Sequence, residues 1–317
     1  MEHSELLAQV ASLYYEQDLT QAEIARRINT SRSTVSRLLH EAREVGVVEI
    51  TIHYPWKTDP EMERKLIDRF HLHNVRVLVG RGRSYDEILR GLGILAARYL
   101  ESVLEAGTIL GISWGTAVYS TVQALRPGRR LQITVVQMIG AVGTGDPLID
   151  GPDLARFLAN ACGGQYRYLH APLLVEDARL RGALLQEPHV RDTLLLARRA
   201  DIALVGIGSL VPQASSLLRA GYVDRDALAR LRAQGAVGDV CARHFDAQGV
   251  ELDVELHWRI VGIELEALRD IGQVIGVAGG EAKAEAILGA LRGKHVNVLV
   301  TDDAAAQKVL DLDRAGT

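Results

Sequence analysis

Apolar positions along the chain follow two different rhythms. Between Leu6 and Ala42 they recur every three or four residues: Leu6, Leu7, Val10, Ala11, Leu13 and Tyr14, and later Val35, Leu38, Leu39 and Ala42. That spacing draws one apolar stripe along each of a series of short helices. Asp18-Leu19-Thr20 breaks the first helix, and Thr20 with Glu23 makes the S/T-x-x-E capping box of the second. Asn29-Thr30-Ser31 interrupts the second, and the third stops at Gly46. Residues 47–53 (Val-Val-Glu-Ile-Thr-Ile-His) then alternate like a strand.

The rhythm changes near residues 55–60. Pro55 and the Asp59-Pro60 pair punctuate the chain; Asp59 can cap a helix and Pro60 suits its first turn. That helix carries Met62, Leu66, Ile67 and Phe70. Beyond it, apolar β-branched runs predict strands at 75–79, 108–112, 133–139, 202–207, 273–278 and 296–301. Helical patterns intervene at 87–104, 116–125, 152–161, 178–186, 190–199, 224–234, 281–291 and 304–310. Such alternation predicts an α/β fold with a mainly parallel sheet. The expected organisation is a small all-α unit, residues 1–55, followed by a large α/β unit, residues 56–317. There is no internal repeat or low-complexity tract.

Composition narrows the possibilities. The 317 residues are 48% hydrophobic and 24% charged, the balance of an ordinary globular protein. Net charge is −4, so a polybasic chain is excluded and any nucleic-acid contact must come from a local patch. No apolar run approaches the ~20 residues that span a bilayer. The acidic start, Met1 to Glu5, does not read as a signal peptide. Cys162 and Cys241 stand far apart and outside any C-x-x-C, which suits a reducing cytoplasm rather than a disulfide framework. The ten histidines show neither H-x-x-x-H nor H-E-x-x-H spacing, so no metal or other cofactor is expected.

Residues 21–40 fit a helix-turn-helix. Ala25 is small enough for a second helix to cross closely, and Asn29 tolerates the left-handed conformation that the turn requires. Val35 and Leu38 anchor the second helix, whose outward face carries Arg32, Ser33, Thr34, Ser36 and Arg37. Hydroxyls and guanidinium groups there suit phosphate oxygens and base edges in a major groove. From Ile24 to Arg43 five arginines face one acid, whereas residues 1–55 as a whole carry five basic and eight acidic residues. Basic charge is therefore focused on one helix pair, which favours DNA over a plain hairpin with a solvated arginine face. The strand at 47–53 would be a wing or a link.

In the second unit, glycines at strand ends matter most: Gly111, Gly206-Ile207-Gly208 and Gly279-Gly280 each precede a helical pattern. Ligands in open α/β sheets bind beyond the carboxyl ends of strands. The run 111–116 (Gly-Ile-Ser-Trp-Gly-Thr) offers backbone N–H groups, the Ser113 and Thr116 hydroxyls and Gly115 to an anion, or is simply a tight turn. It lacks the lysine of a Walker A loop. Lys283 sits in a first helical turn with no acidic partner at i±3 or i±4; it either meets an anion or points to water. Gln137 could read a ligand or satisfy backbone, and Asp239 and Asp246 could bind sugar hydroxyls or cap turns. Arg243 and Asp302 are further polar groups near strand ends.

These motifs together resemble the SorC family of bacterial transcriptional regulators: the helix-turn-helix at 21–40, the run 111–116, Gly206-Ile207-Gly208, the run 238–246 (Gly-Asp-Val-Cys-Ala-Arg-His-Phe-Asp) and the run 277–283 (Val-Ala-Gly-Gly-Glu-Ala-Lys). The resemblance covers almost the whole chain. It implies a winged-helix-type DNA-binding domain and a sugar-binding domain related in fold to sugar-phosphate isomerases and CoA transferases. It also implies a homodimer or homotetramer that binds operator DNA of carbohydrate genes under the control of a phosphorylated sugar or polyol. Carried over, the phosphate cradle falls on Ser113, Gly115 and Thr116, with Gly279, Gly280 and Lys283 at the second junction; Gln137, Asp239 and Asp246 become candidate sugar contacts. His244 departs from the family, which usually has an aromatic residue before Phe245, and Gly140-Ala141 replaces a common glycine pair. The rival reading is a sugar-phosphate isomerase with Asp239, Asp246 or Glu281 as base, but such an enzyme has no use for a helix-turn-helix. A scaffold with a vestigial pocket would leave Lys283 unexplained.

Overall fold

The computed structural model describes residues 3–48, 56–143 and 151–315. The chain divides into two units, Met1–Pro55 and Trp56–Thr317.

In the first unit, α1 (His3–Tyr15), α2 (Gln21–Arg27) and α3 (Arg32–Glu44) bury one stripe each. The Thr20 hydroxyl accepts from Glu23 N–H, and the Glu23 carboxylate accepts from Thr20 N–H, which closes the capping box of α2. Asn29 turns the chain with φ 52°, in the left-handed region. Ser31 then caps α3 by accepting from Thr34 N–H. Ala25 and Val35 meet in a core that also holds Leu7, Val10, Ile24, Leu38 and Leu39. Each such side chain contributes roughly 1.5–3 kcal/mol when fully buried. Val47 and Val48 join no strand, and the rest of the expected strand at 47–53 lies outside the described residues.

The second unit begins with α4 (Pro60–Phe70), whose first turn is capped by the Asp59 carboxylate accepting from Glu61 and Met62 N–H. There follow β1 (Asn74–Leu78), α5 (Tyr85–Val103), β2 (Ile109–Ile112), α6 (Thr116–Ala124), β3 (Thr134–Gln137), α7 (Gly151–Cys162), β4 (Gln165–Arg167), α8 (Ala178–Gln186) and α9 (Pro188–Arg198). Then come β5 (Ile202–Ser209), α10 (Ser216–Arg219), α11 (Arg225–Ala233), β6 (Gly238–Val240), β7 (Arg243–Phe245), α12 (Leu265–Leu268), β8 (Gln273–Val277), α13 (Ala284–Arg292), β9 (Val298–Asp302) and α14 (Asp303–Ala315). Short 3-10 turns form at Glu255–Arg259 and Glu281–Lys283.

Seven strands form a parallel sheet in the order β1-β9-β8-β5-β2-β3-β4. The β6–β7 hairpin joins it antiparallel at the end of β5, pairing Gly208 with Asp239. Strand residues alternate between two cores. Ile202 and Leu204 face one with α5, α6 and α7; Ala203, Val205 and Ile207 face the other with α9, α11, α13 and α14. Both faces are covered, as parallel sheets require. Strand order runs outward through β2, β3 and β4 in one direction and through β5, β8 and β9 in the other. The reversal falls between β2 and β5, and a crevice opens at such a switch point beyond the strands' carboxyl ends.

Candidate functional site

A cavity occupies that crevice. Ser113, Trp114, Gly115 and Thr116 line it from the β2–α6 turn, and Gly206, Ile207 and Gly208 from the end of β5. Ser216 and Leu217 close one side from α10; Asp239, Cys241 and Ala242 of the hairpin and Lys283 close the other. About 40 Å³ stays open at its centre.

The β2–α6 wall is built for an anion. Gly115 holds φ 120°, which a side chain would strain, and no side chain caps α6. The first N–H groups of that helix, at the positive end of its dipole, therefore face the crevice unclaimed by a cap. Ser113 is buried, and its hydroxyl accepts from Gly206 N–H at 3.4 Å, which ties the β2 end to β5.

The described lining also holds one lysine. Lys283 is buried, and its Nζ donates to the carbonyl oxygen of Ile207 at 2.8 Å. Burial pushes its amine down to about 8; nearby Asp239 opposes that shift and Arg219 adds to it. Asp239 is raised above the usual carboxylate range by burial, against the pull of His244 and Lys283. Burial, reinforced by Asp239, pushes the Cys241 thiol up to about 12, so it stays protonated. One buried cation and one carboxyl group thus line a crevice that already presents helix N–H groups, with the charge of Arg219 nearby.

Of the residues singled out in the sequence, Ser113, Gly115, Thr116, Asp239 and Lys283 come together in this cavity. Lys283 does not point to water, and it belongs to a 3-10 turn rather than to the first turn of an α-helix. Six others lie elsewhere. Gln137 is fully buried at the end of β3, and its Oε1 accepts from Leu169 N–H at 3.0 Å, so it serves backbone. Asp246 caps the turn after β7, accepting from Gln248 and Val250 N–H at 2.9 Å each. Gly279 packs on Asp302 and Leu92, and Gly280 donates its N–H to Asp302. Asp302 also accepts from Ala304 and Ala305 N–H, which starts α14, and Arg243 is held by Glu264 at 2.7 Å. With Asp246 and Glu281 outside the cavity, Asp239 alone of the three candidate bases lines it.

Ser216 and Arg219 lie outside every motif of the sequence, and Trp114 and Cys241 fall inside the family runs without being candidates themselves. The run 111–115 also has the G-x-S-x-G spacing of a hydrolase nucleophile elbow. Its positive φ falls on Gly115 rather than on Ser113, and no histidine is among the described residues that line the cavity to serve Ser113 as the elbow's base.

In the first unit, α3 presents Arg32, Ser33, Ser36 and Arg37 to solvent, with Thr34 half-buried. The Ser33 and Thr34 hydroxyls each lie 2.8 Å from Ser31 Oγ, so both are drawn into the helix cap. The guanidinium groups of Arg32 and Arg37 form no ion pair among the described residues, whereas the acids of the same helix are engaged by histidines, Glu41 by His3 at 2.6 Å and Glu44 by His40 at 3.2 Å.

Compared with known proteins, residues 54–311 match the family described as "Putative sugar-binding domain", and residues 4–45 match Sigma-70, region 4. The chain is 33% identical over 310 residues to the deoxyribonucleoside regulator of Bacillus subtilis (strain 168), covering 98% of each chain. It is 34% identical over 315 residues to the sorbitol operon regulator of Klebsiella pneumoniae, covering 98% of this chain and all of that one. The crystal structure of the full-length sorbitol operon regulator SorC from Klebsiella pneumoniae superposes with a TM-score of 0.76 at 33% identity, over 96% of this chain and 98% of that one. No helix among the described residues is long and apolar enough to cross a membrane.

Proposed function

The chain belongs to the SorC family of sugar-binding transcriptional regulators, and from that premise we propose that a phosphorylated sugar or polyol in the β2–β5 cavity controls its affinity for operator DNA. The observation that carries this reading is Lys283: a buried cation in the same cavity as the uncapped start of α6, where Asp239 can accept from hydroxyls. The phosphoryl group sits on the N–H groups of Thr116 and Ala117 and the hydroxyls of Ser113 and Thr116, with Lys283 at its anionic edge. Arg219, which donates to the Ser216 hydroxyl of the cavity wall at 3.2 Å, adds a second positive charge nearby.

The cavity is narrow, and a sugar phosphate held there presses on the β6–β7 hairpin. That hairpin joins the sheet only along β5, and its displacement is how occupancy reaches the rest of the unit. Operator DNA is read by α3, with Arg32, Ser33, Thr34, Ser36 and Arg37 toward the groove and backbone. Two copies or four act together on a pseudo-palindrome, and the protein works in the cytoplasm, where its operator is. The relatives are named as regulators, and we assign no catalysis.

The test is a thermal-shift and calorimetric screen with inorganic phosphate, ribose 5-phosphate, deoxyribose 5-phosphate, fructose 6-phosphate and sorbitol 6-phosphate. A ligand selective for the native state raises its apparent stability. Binding that Lys283→Ala abolishes, without turnover of the sugar, supports the reading. Turnover would point to the isomerase instead, and indifference of every probe to Lys283→Ala would remove the phosphate from this cavity.

A further inference from the structure

Behind the cavity wall lies a buried polar cluster that the binding scheme above leaves unused. Asp239 stands directly opposite His244 in the β6–β7 hairpin, so the two side chains share one face of the ribbon. Asp239 lines the cavity, while His244 is 1% exposed and backs it. The His244 ring stacks on that of His257, with centroids 5.5 Å apart and planes 20° from parallel.

One hydrogen bond fixes the protons of this pair. His244 backbone N–H donates to His257 Nε2 at 2.8 Å, so that nitrogen is an acceptor and carries no proton. His244 Nδ1 lies 3.2 Å from the same nitrogen and must therefore carry its own. The tautomer of His244 is set, and its Nε2 is left as the site where a second proton is taken.

Other charges around the pair are already committed. Arg243 is held by Glu264 at 2.7 Å and approaches Glu251 at 3.7 Å; Glu251 also lies 3.5 Å from His257 Nδ1. From the cavity side, among the described residues, Lys283 and the protonated Cys241 stand near Asp239, which also accepts from Ala242 N–H, and the Lys283 amine is bonded to Ile207. Asp239 and His244 are thus the two groups of the cluster whose charges are open to each other. A lone charge on either is disfavoured by burial, and each favours the charged form of the other.

We propose that His244 is a specificity residue for the sugar: by taking or releasing a proton behind the wall, it sets whether Asp239 meets the ligand's hydroxyls as carboxylate or as carboxylic acid. A carboxylate only accepts, whereas the acid also donates, so the two states prefer different hydroxyl patterns. An apolar aromatic ring at position 244 could not make this exchange. The inference rests on the reading of the cavity as a sugar-phosphate site.

The test compares inorganic phosphate with ribose 5-phosphate, deoxyribose 5-phosphate and sorbitol 6-phosphate on the full chain, by calorimetry from pH 8 to pH 5. The quantity read is the preference of the protein for the best sugar phosphate over inorganic phosphate. In the wild type that preference changes with pH. In His244→Phe it becomes flat with pH and falls about tenfold, the size of one charge-assisted hydrogen bond, while inorganic phosphate binds as before. In an Asp239→Asn background His244→Phe adds nothing further, because the group it acts through is gone; a merely structural histidine would cost the same there. His244→Gln, a milder change, is read the same way if the phenylalanine variant does not fold. An unchanged preference and pH profile in the His244 variants overturns the proposal, as does an equal loss in the Asp239→Asn background. If no sugar phosphate outbinds inorganic phosphate in the wild type, Asp239 reads no hydroxyl and the proposal falls while the phosphate cradle stands. If Lys283→Ala leaves phosphate binding unaltered, the cradle itself is wrong.

Discussion

Lys283 Nζ donates to the carbonyl oxygen of Ile207 at 2.8 Å, which fastens the 3-10 turn before α13 to the end of β5. The bond uses one of three donors on a buried amine and leaves the others for the cavity. Removing the amine should therefore abolish the effector response yet leave effector-free operator binding in place. A hydrogen bond to a charged group contributes roughly 1.5–3 kcal/mol, or about one to two orders of magnitude in effector affinity. Calorimetry and operator gel shifts on Lys283→Ala measure the two effects separately; loss of DNA binding outright would mark the lysine as structural.

The same amine predicts a pH dependence. Its pKa of about 8 means that it begins to lose its proton just above neutrality. Phosphate becomes a dianion above about pH 6. Effector affinity should peak between those values and fall as pH rises through 8, while Lys283→Ala loses the alkaline limb.

At the end of β5, Gly208 and Gly206 make opposite demands. A Cβ on Gly208 would come within 1.9 Å of Asp239 Oδ1, whereas one on Gly206 would have Trp114 O at 3.8 Å as its nearest neighbour. Gly208→Ala should displace the Asp239 carboxylate and weaken sugar binding at least tenfold, the weight of one such contact. Gly206→Ala should fit without strain. Equal affinities for the two variants would mean that Asp239 does not touch the ligand.

DNA recognition should rest on the exposed guanidinium groups of α3. Arg37→Ala should weaken operator binding by roughly 1–3 kcal/mol if the side chain reads a base, and binding should weaken as salt rises through counterion release. Fluorescence anisotropy on an operator duplex gives both slopes. Wild-type affinity in the Arg32→Ala, Arg37→Ala double variant would dismiss α3 as the recognition helix. Because one such helix buries too little surface for typical specific affinity, sedimentation should show a dimer or larger; a monomer at micromolar concentration would contradict that expectation.

Acid should destabilise the large unit at pH values well above those at which ordinary carboxylates titrate. Burial holds His257 down at about 3 and His295 at about 4, against an ordinary 6.5. The folded-state values are depressed, so both rings stay neutral while the unfolded chain takes up protons. Their stabilisation is complete above pH 6.5 and is lost as pH falls toward 4 and 3, at up to about 1.4 kcal/mol per pH unit for each ring. Urea midpoints from pH 7 to pH 4.5 follow the slope, and His295→Asn should flatten it.

Much of this molecule is written in short-range pattern. The capping box of Thr20 and Glu23, the left-handed Asn29, the Asp59 cap and the alternation of strands with helices all rest on groups within a few residues of one another. Local hydrogen bonding and the two side-chain periods suffice to place them. Ser113, Thr116 and Lys283 were legible as cavity candidates for the same reason, since each sits where a strand hands over to a helix.

What needed the tertiary structure was less local. β4 is a three-residue edge strand, Gln165–Arg167, with no alternation to betray it. The β6–β7 hairpin turns at Cys241 and Ala242, both at positive φ (53° and 62°), where sequence leads one to look for Asn-Gly. That turn and the register of Gly208 against Asp239 bring the carboxylate to a lysine 44 positions further along the chain, and the same register leaves Asp246 outside as a cap. Gln137 and Asp246 carry the same polar groups as the residues that do line the cavity. The direction each points follows from strand pairing and core packing across the whole sheet, which a single chain of letters does not record.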